Sequence, residues 1–211
     1  MRTGPLPPVV GGAYPRSKGL ALVGVFTSIL AVSALVSIPI TPLSPVPITL
    51  QVLAVYLIAT LLGPRYGALS CLLYLLLGTV GLPVFSGGDS GIGQLIGPSG
   101  GYLFSFPLAA FAGGLVAKGT GGSRRSEVIR VTLATAVALA IIYAVGVLWL
   151  SFAYLHGNIY EGFILGAAPF IPFDILKAVV AIPISLRVRQ ARLGLPVNWS
   201  KQRTQTAAPG A

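Results

Sequence analysis

Apolar runs of about 17 to 25 residues, parted by short polar breaks, dominate this chain. That is the length an α-helix needs to cross a hydrocarbon core of ~30 Å. Six such runs can be drawn: Gly19 to Ile40, Ile48 to Gly63, Tyr66 to Leu82, Gly101 to Lys118, Val128 to Phe152 and Phe163 to Arg187. The second and third are short and are joined by Gly63-Pro64-Arg65-Tyr66-Gly67. Pro64 has no N–H to donate and must break or restart a helix, so a tight helical hairpin is expected there. The pattern predicts an all-α, polytopic membrane bundle of six transmembrane helices over residues 19–187. Residues 1–18, rich in proline and glycine, and residues 188–211, polar and basic, are expected to be tails. The first run is longer than a typical signal-peptide core and lacks a clean small-x-small cleavage site, so it reads as a retained helix.

Composition strengthens this picture. Of 211 residues 55% are hydrophobic and 9% charged, against roughly 25% charged in an average soluble domain. A single cysteine, Cys71, lies within an apolar run, and with one histidine, His156, the chain offers no His-based metal cluster. The formal net charge of +10 could suggest nucleic acid, but the bases sort by side. With the N-terminus inside, 13 of the 14 fall on the cytoplasmic side of the six runs and none in the three outer loops, which hold Asp89 and Glu161. The positive-inside rule predicts such a bias when both termini are cytoplasmic. The charge thus reports topology, and nucleic acid loses its support as a partner.

The remaining base, Lys177, lies within the last run together with Asp174. Each costs about 2.5–3.5 kcal/mol at the centre of a membrane helix, and such residues usually mark a substrate or ion path. At i and i+3 they share one helix face. A self-neutralising structural ion pair, or an Asp favoured by the helix dipole after Pro172, is the plainer reading. As a ligand site, the pair offers a carboxylate acceptor beside an ammonium donor and suits a neutral group carrying both N–H and C=O, such as a urea or amide. Thr49 and Gln51 at the outer end of the second run could join it, as could Ser70 and Tyr74 on one face of the third and Tyr102 and Ser105 opening the fourth. For each of these an interhelical hydrogen bond is an equal alternative.

Seven glycines (87, 88, 91, 93, 97, 100 and 101) lie between Ser86 and Gly101. They expose backbone N–H groups and let the chain approach a ligand closely. Neither nucleotide fingerprint is met, since Ile96 stands where G-x-G-x-x-G requires glycine and the loop holds no Lys. Gly88-Asp89-Ser90-Gly91 matches a serine-hydrolase motif, but no His precedes Ser90. A rhomboid-like dyad of Ser90 and His156 is the reading of a different class; against it, His156 lies in a polar loop and outside the runs.

The stretches PITLQVLAVYLIATLLGPRYGALSCLLYLLLGTVGLPVFSGG, GPSGGYLFSFPLAAFAGGL and PFIPFDILKA, in this order between Pro45 and Ala181, resemble the BioY family, the biotin-binding S components of energy-coupling-factor vitamin transporters. The resemblance implies a non-enzymatic subunit of a bacterial or archaeal cytoplasmic membrane that captures biotin from outside and needs no cofactor. It further implies partners: a transmembrane coupling protein and two cytoplasmic ATPases, which fits a chain without an ATP motif. Asp174 and Lys177 match the family's D-x-x-K pair, which helps hold the biotin head. Thr49, Gln51, Tyr74, Gly87, Gly88, Gly101 and Tyr102 complete the expected ligand set. Two departures stand out. The glycine loop has no base for the biotin carboxylate, leaving backbone N–H groups, Ser99, Tyr102 or solvent. In place of A-x-x-x-A on the first helix the chain has Gly24-x-x-x-Ser28 and Thr27-x-x-x-Ala31, both small-x-x-x-small and suited to docking. An S component for another vitamin is the neighbouring alternative.

Overall fold

The computed structural model describes residues 16–119, 123–191 and 195–197; most of both expected tails lies outside them. Helix α1 (Arg16–Leu35) starts three residues before the expected run and stops five short of its end. Beyond it Pro39, Pro42, Pro45 and Pro47 withhold backbone donors, and the chain instead makes a two-stranded antiparallel ladder, β1 (Ser37–Ile38) with β2 (Ile48–Thr49). Apolarity alone had extended the helix across this segment.

Helix α2 (Gln51–Thr79) is interrupted at Gly63, with φ 72° and ψ −177°, immediately before Pro64. A positive φ is readily open only to glycine, and here it reverses the chain. Gln51 Nε2 lies 2.8 Å from the Tyr74 hydroxyl, whereas 23 residues of unbroken helix would span about 35 Å. The halves 51–62 and 64–79 therefore run back along one another, the hairpin expected from the sequence. After a 3₁₀ turn (Ser86–Gly88) and the short α3 (Ile92–Ile96) come α4 (Gly100–Ala117) and α5 (Arg124–Tyr154). Ser123 caps α5 by accepting from the Ser126 N–H.

The last expected run is not one helix. It divides into α6 (Ile159–Gly166) and α7 (Ile171–Gln190), bent by 54° across the break. Pro169 lies in that break and Pro172 in the first turn of α7, where a missing N–H does no harm. α6 also occupies ground expected to be outer loop, capped by the Asn158 side chain accepting from the Glu161 N–H.

Among the described residues four helices are long and apolar enough to cross a membrane, five if the bent pair is one span. Together with the outward display of Leu20, Val32, Leu76 and Val179, this makes a multi-pass membrane helical bundle. Its centre is the α2 hairpin, packed on α1, α4, α5 and α7, with α5 lying chiefly against α4 and also touching α7. Small residues allow the closest approaches: a Cβ on Gly114 would sit 2.5 Å from Pro64 N, and one on Gly113 2.9 Å from Ala134 O.

The start of α1, the α2 turn, the end of α4, the start of α5 and the end of α7 share one end of the bundle. Gly19 of α1 lies against Tyr66 just past the α2 turn, and Arg189 ties the other four together directly. It is 2% exposed and bonds Glu127 Oε1 (3.2 Å) and the carbonyls of Thr60 (2.8 Å), Ala117 (3.0 Å) and Gly119 (2.9 Å). Sequence reasoning had counted Arg189 only as a topological charge in a tail beginning at residue 188. Instead α7 continues to Gln190, Leu195 and Val197 are buried, and Val197 lies against Gly63 of the α2 turn, with Val197 O accepting from the Gly119 N–H at 3.3 Å.

Candidate ligand-binding site

At the opposite end a cavity of about 60 Å³ lies between the β1–β2 segment, α2, α4, α5 and α7. Its apolar wall includes Val46, Val52, Phe85, Phe106, Ile142 and Phe170; Thr49, Gln51, Ser86, Gln94, Ser99 and Tyr102 add polar groups, and Asp174 and Lys177 face it from α7. Mostly apolar walls with a few convergent polar groups are the usual composition of a small-molecule site.

Asp174 sits in the first turn of α7, where the positive end of the helix dipole favours a carboxylate. Lys177, one turn on, brings Nζ to 2.7 Å from Asp174 Oδ1; the two residues are 3% and 8% exposed. Asp174 Oδ2 accepts from the Tyr143 hydroxyl of α5 at 2.7 Å. The ammonium thus has donors to spare and the carboxylate lone pairs to spare, both at the cavity wall.

Gln51 opens α2 from the other side. Its Oε1 accepts from Thr49 Oγ1 at 2.9 Å, and its Nε2 donates to Tyr74 at 2.8 Å. Tyr74 is wholly buried and does not line the cavity; it sets the Gln51 amide from behind and meets Phe85 edge-on at 5.5 Å. Phe85 in turn lies where a Cβ on Gly78 would be, 2.2 Å from its ring.

The glycine-rich segment is tied down at several points. Ser86 Oγ and Ser37 Oγ are 2.8 Å apart, Gly91 N donates to Gly78 O at 2.7 Å, and Trp149 Nε1 donates to Gly97 O at 3.0 Å. The Tyr154 hydroxyl bonds Ile96 O, and Gln94 Nε2 reaches Asp89 Oδ2 at 2.9 Å. Gly87, Gly88 and Gly91 have positive φ, which explains the residue type without assigning ligand contact. Gly87 and Gly88 do not line the cavity, although Ser86 does.

Gly101 differs from its expectation more sharply. A Cβ there would sit 2.2 Å from Trp149 Cβ, so it is a packing contact between α4 and α5. Tyr102 does reach the cavity, with its hydroxyl on Gly166 O at 2.6 Å. Ser70 binds backbone carbonyls of Tyr66 and, across to α1, of Val23, the interhelical role held open above, whereas Ser105 binds that of Tyr102 within its own helix. On α1, Thr27 turns inward and donates to Ser70 O at 3.0 Å, and Ala31 is half-buried, whereas Ser28 is exposed and its hydroxyl bonds Gly24 O. Thr27 is thereby withdrawn from any outer contact.

Ser90 and His156 are both exposed, and among the described residues no hydrogen bond joins them. Nor do the described residues contain a His/Cys/Asp/Glu group able to hold a metal. Tyr143, Ser86 and Gln94 were missed from sequence. A lone tyrosine amid the apolar Ala140 to Val147 was the available signal, since a buried hydroxyl needs a partner.

A membrane-embedded helical bundle whose pocket ends in a buried carboxylate–ammonium pair is a small-molecule binding protein of the bilayer. The chain matches the BioY family over residues 10–193 and belongs to it. It is 46% identical over 174 residues to the "Biotin transporter BioY" of Thermotoga maritima, covering 82% of this chain and 96% of that one. Against the "Probable biotin transporter BioY" of Pyrococcus horikoshii it is 40% identical, covering 82% and 98%. Among solved structures it is similar to an S-component for biotin from an ECF-type ABC transporter, with a TM-score of 0.70 and 31% identity, covering 83% of this chain and 92% of that one.

Proposed function

We propose that this chain is the biotin-capturing subunit of an ATP-driven uptake system. The observation that carries the reading is the buried Asp174–Lys177 pair facing the cavity at a separation of 2.7 Å. A ureido group offers N–H donors to the carboxylate and a carbonyl to the ammonium, so neither charge is left unpaired when the ring is bound. The apolar wall takes the rest of the molecule, and Gln51, Ser99 and Tyr102 stand where further polar atoms can be met.

In this reading the α2 hairpin and the bent α6–α7 pair bring the passes to six. The basic end, with Arg65, Arg124, Arg125 and Arg187, faces the cytoplasm together with both termini, in the cytoplasmic membrane of a bacterium or archaeon. Biotin enters from the opposite end past the glycine segment, which serves as its lid. The chain has no nucleotide motif, so energy comes from partners, a transmembrane coupling protein and two ATPases. Half-buried Gly24 and exposed Ser28 of α1 offer them a close-packing face. Calorimetric titration of the purified subunit with biotin, riboflavin and thiamine, without ATP, tests the assignment. Biotin alone should bind, and saturable binding of another vitamin in its place would overturn it.

A further inference from the structure

Asp174 is held by donors from two helices. Lys177 Nζ of α7 fixes Oδ1 at 2.7 Å, and the Tyr143 hydroxyl of α5 fixes Oδ2 at 2.7 Å. The terminal torsion of an aspartate is broad and roughly twofold. A carboxylate held at one oxygen can therefore swing; held at both, its plane is set, and with it the direction of the lone pairs left for a ligand N–H. Tyr143 does not line the cavity, although its neighbour Ile142 does, so any effect it has on a ligand passes through Asp174.

Two other tyrosines, Tyr56 of α2 and Tyr102 of α4, are buried in the same core. Tyr102 is committed to Gly166 O, and the Tyr56 hydroxyl is buried without a hydrogen-bond partner among the described residues. Of these three, Tyr143 alone donates to the carboxylate.

We infer that Tyr143 is a positioning residue for ligand recognition, setting from α5 the plane of the Asp174 carboxylate that accepts the ligand's N–H. The inference rests on the biotin reading above, and its test separates the two. The chain has only two aspartates, Asp89 and Asp174, so infrared spectra of protein carrying ¹³C-aspartate contain two carboxylate bands, and Asp174→Asn assigns one. In ligand-free protein Tyr143→Phe should shift the Asp174 antisymmetric stretch, while Tyr56→Phe leaves it in place. In titrations Tyr143→Phe should lower biotin affinity about three- to tenfold, because the bond is already formed in the ligand-free protein and its loss enters binding through the freed carboxylate that the ligand must then order. Should Tyr143→Phe fail to purify, 3-fluorotyrosine placed at 143 keeps the packing and should shift the same band. An unmoved band, or biotin affinity within about twofold of the unsubstituted protein, overturns the inference. If the unsubstituted protein does not titrate with biotin, the ligand reading falls, and the infrared result still decides whether Tyr143 holds Asp174.

Discussion

Asp174 and Lys177 are each costly in a bilayer, and together they are neutral and mutually hydrogen-bonded. Removing one member leaves the other buried and uncompensated. Asp174→Asn or Lys177→Ala should therefore weaken biotin binding by about 3 kcal/mol or more, roughly a hundredfold or greater, in calorimetric titration. Unchanged affinity in both variants would remove these residues from the site. The pair was legible because i and i+3 spacing is a local property of a helix. Gln51 and Thr49 were legible for a related reason, being polar residues where an apolar run begins. Tyr143 was not, because its partner lies 31 residues away on another helix and no spacing rule connects them. Gly101 was misjudged because a glycine in sequence does not disclose whether its missing side chain makes room for a ligand or, as here, for Trp149.

Among the elements, α2 shows how far a short motif can determine structure. Gly63 and Pro64 together specify a reversal, and Gly114 of α4 is what lets α4 pack directly on it. A Cβ at Gly114 would meet Pro64 N at 2.5 Å and Gly63 C at 2.6 Å, backbone atoms that cannot rotate away. Gly114→Ala should accordingly destabilise the detergent-solubilised subunit by about 1–3 kcal/mol, as overpacking does. Gly24→Ala, where nothing lies within 4 Å, should be neutral or slightly stabilising in the same thermal melts. Equal melting temperatures for the two variants would refute this account of the turn. A helix start at Pro172 was legible as one reading of Asp174, but the separate α6 before it was not, because Pro169 and Pro172 sit within a continuous apolar run. Apolarity reports whether a segment prefers lipid, and the bend depends on backbone donors that hydropathy does not count.

For the whole molecule, charge placement was the most informative sequence feature, and it makes a direct prediction. Cys71 is fully buried, so the unsubstituted chain should resist a membrane-impermeant maleimide. Ser90→Cys should react from outside intact cells and Arg125→Cys only after lysis. The reverse pattern would invert the proposed orientation. The basic end has a second property that charge counting could not reveal. Arg189 holds Thr60 O, Gly114 abuts Pro64 and Val197 lies against Gly63, so three separate contacts grip the bend of the hairpin. From that bend the arm to Gln51 is about 18 Å long at 1.5 Å per residue. A tilt of about 5° at the pivot would swing the Gln51 amide by roughly 1.5 Å, more than half the length of its bond to Tyr74. The bend therefore acts as the bearing of a lever. The accuracy with which the pocket is aimed at one end of the bundle is set by how firmly the far end is clamped.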